Sequence, residues 1–407
     1  MHQPSIGKSP RQGITAPAGF KAAGVHCGIK KAGLLDLALV VSERSGPIAG
    51  VFTRNRIVAA PVILDRLHLR HRQGRAIIIN SGNANACTGP AGMTTARRTA
   101  QLVAKLLGVP PYEVFVGSTG VIGRSLPFAC IKNGVPRLIE ELATHGGHLA
   151  ARAIMTTDLR PKHVGLRTKI GGRIVTIGGM AKGSGMIHPN MATMLAYLTT
   201  DAAITQSALQ HALTLAVDNS FNCISVDGDT STNDTALCLA NGLAGNRTIS
   251  TGTSDFRRFV QLLTKTCQTL ALAICRDGEG VTKVVKIAVS GADTAKQAHQ
   301  IAQTVATSNL VKTALFGEDA NWGRVMAAIG RAGVPVIQGK VAIWFDGVAM
   351  VKHGVGLGPA AERRIAHVFK KKEFTIAIRL GGGRHQSHMW TTDLSYDYVR
   401  INASYRS

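Results

Sequence analysis

One threonine in this chain has neighbours that could turn it into a catalyst. Residues 182–195 (KGSGMIHPNMATML) place Thr193 directly after Ala192, in an apolar run that follows a glycine-rich turn. A threonine hydroxyl is a weak nucleophile because nothing beside it takes its proton. If the Ala192–Thr193 peptide bond is cut, Thr193 becomes a chain terminus, and its α-amine, with an ordinary pKa of about 7.7–8.0, lies beside the hydroxyl as a base. The hydroxyl can start the cut by attacking the carbonyl of Ala192, and Gly183 and Gly185 would allow the strained turn that this attack needs.

Seven short motifs follow one another along the chain and together resemble one family. They are STGVIG (118–123), AIMTTD (153–158), GGMAKG (178–183), VDGDTSTND (226–234), DGEGVTK (277–283), GEDANWGR (317–324) and DYVRINASYRS (397–407). Any one of them alone is a weak signal, whereas seven in order are specific. With the stretch around Thr193, they resemble the glutamate N-acetyltransferase/ornithine acetyltransferase family of arginine biosynthesis.

The resemblance implies an activity, an assembly and a fold. The expected reaction moves an acetyl group from N2-acetyl-L-ornithine to Thr193 and then to L-glutamate. Some family members also accept acetyl-CoA, and the sequence leaves this open because one acyl-enzyme site could serve both donors. Cleavage would give an alpha chain (1–192) and a beta chain (193–407), two of each in a heterotetramer, with no cofactor or metal. The implied fold is a layered α/β sandwich with mixed sheets, similar to the self-cleaving N-terminal-nucleophile-like fold of the ornithine acetyltransferase/DmpA superfamily.

The resemblance also assigns site residues. Acyl transfer passes through an oxyanion, and loss of one fixed donor typically costs roughly 3–4 kcal/mol; the Thr119 hydroxyl and the Gly120 N–H match the family's donors. The positions that match the family's substrate-binding residues are Thr156, Lys182, Thr193, Glu279, Asn402 and Ser407. A lysine, hydroxyls and an amide suit an α-carboxylate, and Glu279 suits the distal ammonium of ornithine. Thr157 remains an alternative to Thr156.

Composition places limits on the class of protein. The chain has 407 residues, 45% of them hydrophobic, so it can bury a large core, and alternating helix-like and strand-like segments indicate mixed α and β structure. It has neither an apolar run of membrane-spanning length nor the apolar region of a signal peptide, which predicts a cytoplasmic protein. The seven cysteines lack paired spacing, which favours reduced thiols over a disulfide framework or a zinc site.

The formal charge of +24 allows two interpretations. One is a nucleic acid or other polyanion as partner. The other is a basic surface that attracts anionic substrates. The basic residues are spread out, and the densest clusters, at 66–72 and 370–372, are not interleaved with aromatic residues. We therefore favour the second interpretation and expect no nucleic acid partner.

Periodicity and turn residues predict the elements that position these groups. Strands are predicted at 76–80, 113–117, 194–198, 282–289 and 339–351, with a hairpin at 169–180 around Gly171 and Gly172. Helices are predicted at 93–107, 127–143, 147–155, 207–217 and 256–274. Thr119 and Gly120 are expected in a loop after their strand, and Thr193 at the start of the next one. Residues 227–234 lack the pattern of a calcium loop and are interpreted as a structural loop near the site.

The sequence leaves open the packing around Asn402 and two alternative functions. Residues 381–390 are more polar than the family resemblance leads us to expect, which bears on the packing around Asn402. The main alternative function is a self-processing N-terminal-nucleophile aminopeptidase or amidase of similar fold. A basic nucleic-acid-binding protein is the second alternative.

Overall fold

The computed structural model describes residues 5–188 and 194–404. Its strands are β1 (Gly7–Lys8), β2 (Phe20–Val25), β3 (Leu37–Phe52), β4 (Gln73–Asn83), β5 (Val114–Val121), β6 (Lys162–Ile170), β7 (Arg173–Lys182), β8 (Leu195–Thr200), β9 (Ile224–Ser225), β10 (Thr235–Ala240), β11 (Val284–Ala292), β12 (Ala342–Phe345), β13 (Val348–Lys352), β14 (Val355–Gly356), β15 (Glu373–Arg379) and β16 (His385–Thr392). Its α-helices are α1 (Ala60–His68), α2 (Gly89–Leu107), α3 (Phe128–Glu140), α4 (Gly147–Ala153), α5 (Gln206–Asp218), α6 (Ser254–Arg276), α7 (Ala295–Ala306), α8 (Asn309–Phe316), α9 (Trp322–Gly330), α10 (Pro359–Ile365) and α11 (Tyr396–Ser404).

The larger sheet has the order β1-β6-β7-β8-β10-β3-β4-β5, with β2 also paired to β3. Its pairing is mixed: β4 and β5 are parallel, as are β8 and β10, and the other pairs are antiparallel. The long strand β3 pairs with β2 and β4 mainly through its first half and with β10 through its second half. It therefore joins two halves of the sheet.

These two halves face each other. A Cβ atom at Gly117 of β5 would lie 1.9 Å from the hydroxyl of Tyr197 of β8, although four steps of the sheet order separate the two strands. Apolar side chains from both halves, such as Ile77 and Leu195, pack in one buried cluster. On the outer sides, α5 and α6 cover one half, and α1, α2 and α3 cover the other. The layers are thus helix, sheet, sheet, helix.

The smaller sheet has the order β14-β13-β12-β15-β11-β16-β9 and a core of its own, formed with α7 to α10. The short strand β9 connects it to the rest of the fold, since Ile224 of β9 pairs with Trp390 of β16. A layered α/β structure with mixed sheets was predicted, and the fold confirms it.

Local signals in the sequence account for many boundaries. Helix α2 begins at Gly89, four residues before the predicted start, because Pro90 is well suited to a first helical turn. Helix α6 is capped by Thr253, whose hydroxyl accepts a hydrogen bond from the N–H of Phe256. The predicted hairpin turns at Gly171 and Gly172, both of which have positive φ (55° and 82°).

Two predictions of local structure are wrong. Thr119 and Gly120 lie inside β5 rather than in a loop, because their backbone still pairs with β4. The strand predicted at 339–351 is broken into β12 and β13 by a turn at Asp346 and Gly347, whose φ values are 45° and 83°. No helix in the described ranges combines the length and apolar character needed to cross a bilayer.

Candidate active site

One cleft gathers the predicted site residues that the structure describes. It is lined by Thr119, Gly120, Thr156, Thr157, Lys182, Glu279 and Asn402, and also by Ala84, Ile122, Gly185, Met186, Met194, Leu195, Ser231, Asn233 and Asp234. These residues come from segments far apart in the sequence. Met194, which follows position 193 in the sequence, is one of them. Ala192, Thr193 and Ser407 lie outside the described residues.

The predicted oxyanion donors lie at the end of β5, where the strand is held from two sides. Gly120 has φ of +131°, and a Cβ there would lie 2.3 Å from the carbonyl carbon of Gly82, so no larger residue fits without a backbone shift. The buried amide of Asn233 donates to the carbonyl oxygens of Ala84 (2.6 Å) and Ser118 (2.8 Å). Asn233 therefore fixes the peptide that precedes Thr119.

Lys182 ends β7 and presents a buried cation to the cleft. Burial lowers the pKa of its ammonium, while the carboxylates of Asp158, Glu279 and Asp234 act in the opposite direction. A charged group with so little water around it gains from an added anionic partner. The arrangement thus suits a small substrate that carries a carboxylate.

Glu279 and Asn402 meet at the cleft through a hydrogen bond of 2.8 Å from Nδ2 of Asn402 to Oε2 of Glu279. Asn402 thus lines the cleft even though residues 381–390, which precede it, are more polar than the family resemblance led us to expect. Gly185 adjoins the pair, and a Cβ there would lie 2.3 Å from Oε2 of Glu279. The sequence predicted that Gly183 and Gly185 would both use the backbone freedom of glycine. Gly183 does, since its φ is +154°. Gly185 does not have a positive φ, and its lack of a side chain instead makes room for the Glu279 carboxylate.

The loop at 227–234 adjoins the cleft as expected and holds the backbone at Met186 and Ile187. The Asp227 carboxylate accepts hydrogen bonds from the backbone N–H groups of Met186 (2.6 Å) and Ile187 (2.8 Å). Burial raises the pKa of Asp227. The same loop contributes Asn233, which we did not single out from the sequence even though it lies in a motif that carried the resemblance.

Other chemistry has little support in the described part of the chain. No group of three or more His, Cys, Asp or Glu side chains there is arranged to hold a metal ion. The seven cysteines are free thiols, and burial raises the pKa of Cys223 to about 11, which disfavours its nucleophilic thiolate. His188 contacts the hydroxyl of Ser225 and the amide of Gln303.

The fold and the cleft define an enzyme for small polar substrates. The sequence model of the ArgJ family matches residues 21–407. A relative from Symbiobacterium thermophilum, named arginine biosynthesis bifunctional protein ArgJ, is 49% identical over 399 residues, which cover 97% of this chain and 98% of the relative. The chain therefore belongs to the ArgJ family, as its motifs predicted.

Solved structures include two similar chains. Arginine biosynthesis bifunctional protein ArgJ from Bacillus halodurans is 41% identical, with a TM-score of 0.50, and the match covers 51% of this chain and 98% of that one. An ornithine acetyltransferase from Mycobacterium tuberculosis, solved in complex with ornithine, is 47% identical with a TM-score of 0.43 and covers 46% of this chain and 99% of that one.

Proposed function

We propose that this enzyme transfers an acetyl group from N2-acetyl-L-ornithine to L-glutamate through an ester on Thr193, as a step of arginine biosynthesis. The observation that carries the proposal is the convergence of Thr119, Gly120, Lys182 and Glu279 on a cleft that Met194 also lines. Membership of the ArgJ family favours this transfer over the aminopeptidase alternative.

The nucleophile would arise by self-cleavage into residues 1–192 and 193–407. The Thr193 oxygen attacks the carbonyl carbon of Ala192, the carbon–nitrogen bond breaks, and the nitrogen gains a proton to become the free α-amine. Water then hydrolyses the resulting ester and releases the carboxyl group of Ala192. The Bacillus halodurans relative supports this step, because its solved chain is about half as long as ours and matches it over 98% of its own length.

Transfer would follow in two halves. The Thr193 oxygen attacks the acetyl carbonyl of N2-acetylornithine while the α-amine takes its proton, and the Thr119 hydroxyl and Gly120 N–H stabilise the oxyanion. The bond from the acetyl carbon to the ornithine nitrogen breaks, the nitrogen takes the proton, and ornithine leaves. The amine of glutamate then attacks the acetyl ester, which gives N-acetylglutamate and regenerates Thr193.

Substrate recognition would combine one cationic and one anionic group. In this proposal Lys182, Asn402, Ser407 and a threonine at 156 or 157 hold the α-carboxylate, and Glu279 pairs with the distal ammonium of ornithine. The buried environment of Lys182 supports this division, because a desolvated cation interacts strongly with a carboxylate. Neither a cofactor nor a metal has a part in the reaction.

We propose two copies of each fragment in a heterotetramer that works in the cytoplasm without a nucleic acid partner. Whether acetyl-CoA serves as a second acetyl donor is tested by incubating the processed enzyme with acetyl-CoA and glutamate and measuring N-acetylglutamate. Native mass measurement distinguishes the heterotetramer from a single cleaved pair.

The decisive experiment measures cleavage and transfer together. Intact mass and N-terminal sequencing of the active protein should give two fragments, one beginning Thr193-Met194-Leu195, and Thr193→Ala should remain uncut and inactive. Acetyl transfer should produce N-acetylglutamate and ornithine in equal amounts. Net hydrolysis of acetylornithine or of peptides would instead favour the amidase alternative, and a fully active uncut chain would refute the nucleophile.

A further inference from the structure

A buried cation lies behind the cleft without lining it. The ammonium of Lys162 lies 2.6 Å from Oδ1 of Asp158 and 2.6 Å from Oδ2 of Asp277. All three side chains are almost inaccessible to solvent, with 2%, 0% and 8% exposed for Lys162, Asp158 and Asp277. A lysine shared between two buried carboxylates holds the segments that carry them at a fixed separation.

Asp158 connects this cation to two walls of the cleft. Its Oδ1 accepts a hydrogen bond from the N–H of Gly183 (2.8 Å), the residue after Lys182, and its Oδ2 accepts one from the N–H of Thr156 (2.9 Å). Burial alone would raise the pKa of Asp158, but the nearby ammonium groups of Lys182 and Lys162 and the Gly183 N–H outweigh it and lower the pKa to about 2. Asp158 therefore stays charged.

Asp277 connects the same cation to the turn that carries Glu279. Its backbone carbonyl accepts a hydrogen bond from the hydroxyl of Ser184 (2.6 Å), and the carbonyl of Ser184 accepts one from the N–H of Glu279 (3.0 Å). The turn at 277–280 is thus joined to the turn that follows Lys182. Lys162 is therefore linked through its two carboxylates to the segments that carry Lys182 and Glu279.

Electrostatics make the spacing of these segments depend on Lys162. Asp158 is the carboxylate with the largest effect on the Lys182 ammonium, and it is also bonded to Lys162. Without the Lys162 charge, Asp158 would lose the cation to which it is hydrogen-bonded, and the substrate-facing Lys182, which already has the larger effect on its pKa, would have to compensate it. Lys182 would then turn away from the cleft, while Thr119 and Gly120 at the end of β5 would stay where they are.

We propose that Lys162 is a positioning residue, which holds Lys182 and Glu279 at the separation that an amino acid with an α-carboxylate and a distal charge requires. This inference rests on the proposed function, because it concerns how the same cleft recognises its substrates. Lys162 acts only through the two carboxylates and touches no substrate. Its removal should therefore weaken binding without impairing the acyl-transfer steps.

The test uses Lys162→Met/Asp277→Asn, in which loss of the cation is matched by loss of one anion, so that the fold keeps its charge balance. KM and kcat are measured with acetylornithine and glutamate and expressed per molecule of cleaved enzyme. We expect complete self-cleavage, a KM at least tenfold above the parent for both substrates, and a kcat within threefold of the parent. Lys162→Arg keeps the charge and changes only the geometry, so it should raise KM by less than the double variant but by more than twofold.

Lys312→Met is the matched control, because Lys312 is another buried lysine, bonded to Thr391 and Thr392 rather than to a cleft residue. It should lower the melting temperature and leave KM unchanged. KM values within twofold of the parent in both Lys162 variants would overturn the inference, as would a fall in kcat with KM unchanged. If the double variant does not fold, Lys162→Arg decides. If the cleaved parent itself transfers no acetyl group, the proposed function has failed instead.

Discussion

A single added methyl group at Gly185 should separate substrate recognition from folding. A Cβ at this position would lie 2.3 Å from Oε2, 2.5 Å from Cδ and 2.7 Å from Oε1 of Glu279. Since carbon atoms pack at about 3.5–4.0 Å, the carboxylate must retreat by about 1 Å or more. The hydrogen bond of 2.8 Å from Asn402 would then be lost.

The expected loss of kcat/KM follows from that hydrogen bond, and the expected change in stability follows from the flexibility of the Glu279 carboxylate. Hydrogen bonds to charged groups contribute about 1.5–3 kcal/mol, which corresponds to roughly a 10- to 150-fold loss of kcat/KM for acetylornithine. The displaced group is the flexible end of a side chain rather than backbone, so we expect the free energy of unfolding to change by less than about 1 kcal/mol. Gly185→Ala should thus fold normally and react poorly.

The assay compares kcat/KM, per cleaved molecule, with the unfolding free energy from urea titration. Gly330→Ala is the control, because nothing lies within 4 Å of a Cβ at Gly330 and its φ is not positive. This control should match the parent in activity. A kcat/KM for Gly185→Ala within twofold of the parent value would show that the Glu279 carboxylate does not need its present position, which would contradict its role in binding.

Three further predictions concern the oxyanion strand and the buried lysine. Asn233→Ala removes the donor to the carbonyl of Ser118, and the unsatisfied oxygen should cost about 1–3 kcal/mol, seen as a fall in kcat of roughly 5- to 150-fold with KM little changed. Gly120→Ala should destabilise the protein by about 1–3 kcal/mol in thermal or urea unfolding, because its Cβ meets the backbone of β4, whereas Gly123→Ala, also at positive φ but with open space around it, should cost less. Because burial lowers the pKa of Lys182, its charge is present at low pH and is lost as the pH rises. The KM for acetylornithine should therefore increase at a lower alkaline pH than an ordinary lysine would require. A KM that does not change with pH, or a pH profile that Lys182→Met leaves unchanged, would contradict this role.

Much of the secondary structure could be predicted because its causes are local. The apolar, β-branched run at 76–80 is the centre of β4, and the Thr253 cap marks the start of α6. Of the two errors, one has a tertiary cause and the other a local one. Thr119 and Gly120 have the composition of a turn, yet the adjacent backbone of β4 keeps them in a strand. At 339–351 the apolar pattern hid a two-residue turn, because Asp346 and Gly347 occupy positive φ between two short strands.

The sequence alone determined the family, the motifs and the identity of seven of the residues that line the cleft, because residue types and their order are recorded in the chain itself. Only the tertiary structure decided how those residues are held. The contact of Asn233 with Ser118, the room that Gly185 leaves for Glu279, and the cation shared by Asp158 and Asp277 each join segments distant in sequence. Such contacts arise from the folding of the sheet at β3 and from burial, which makes each charge depend on its neighbours, and local patterns carry no record of either.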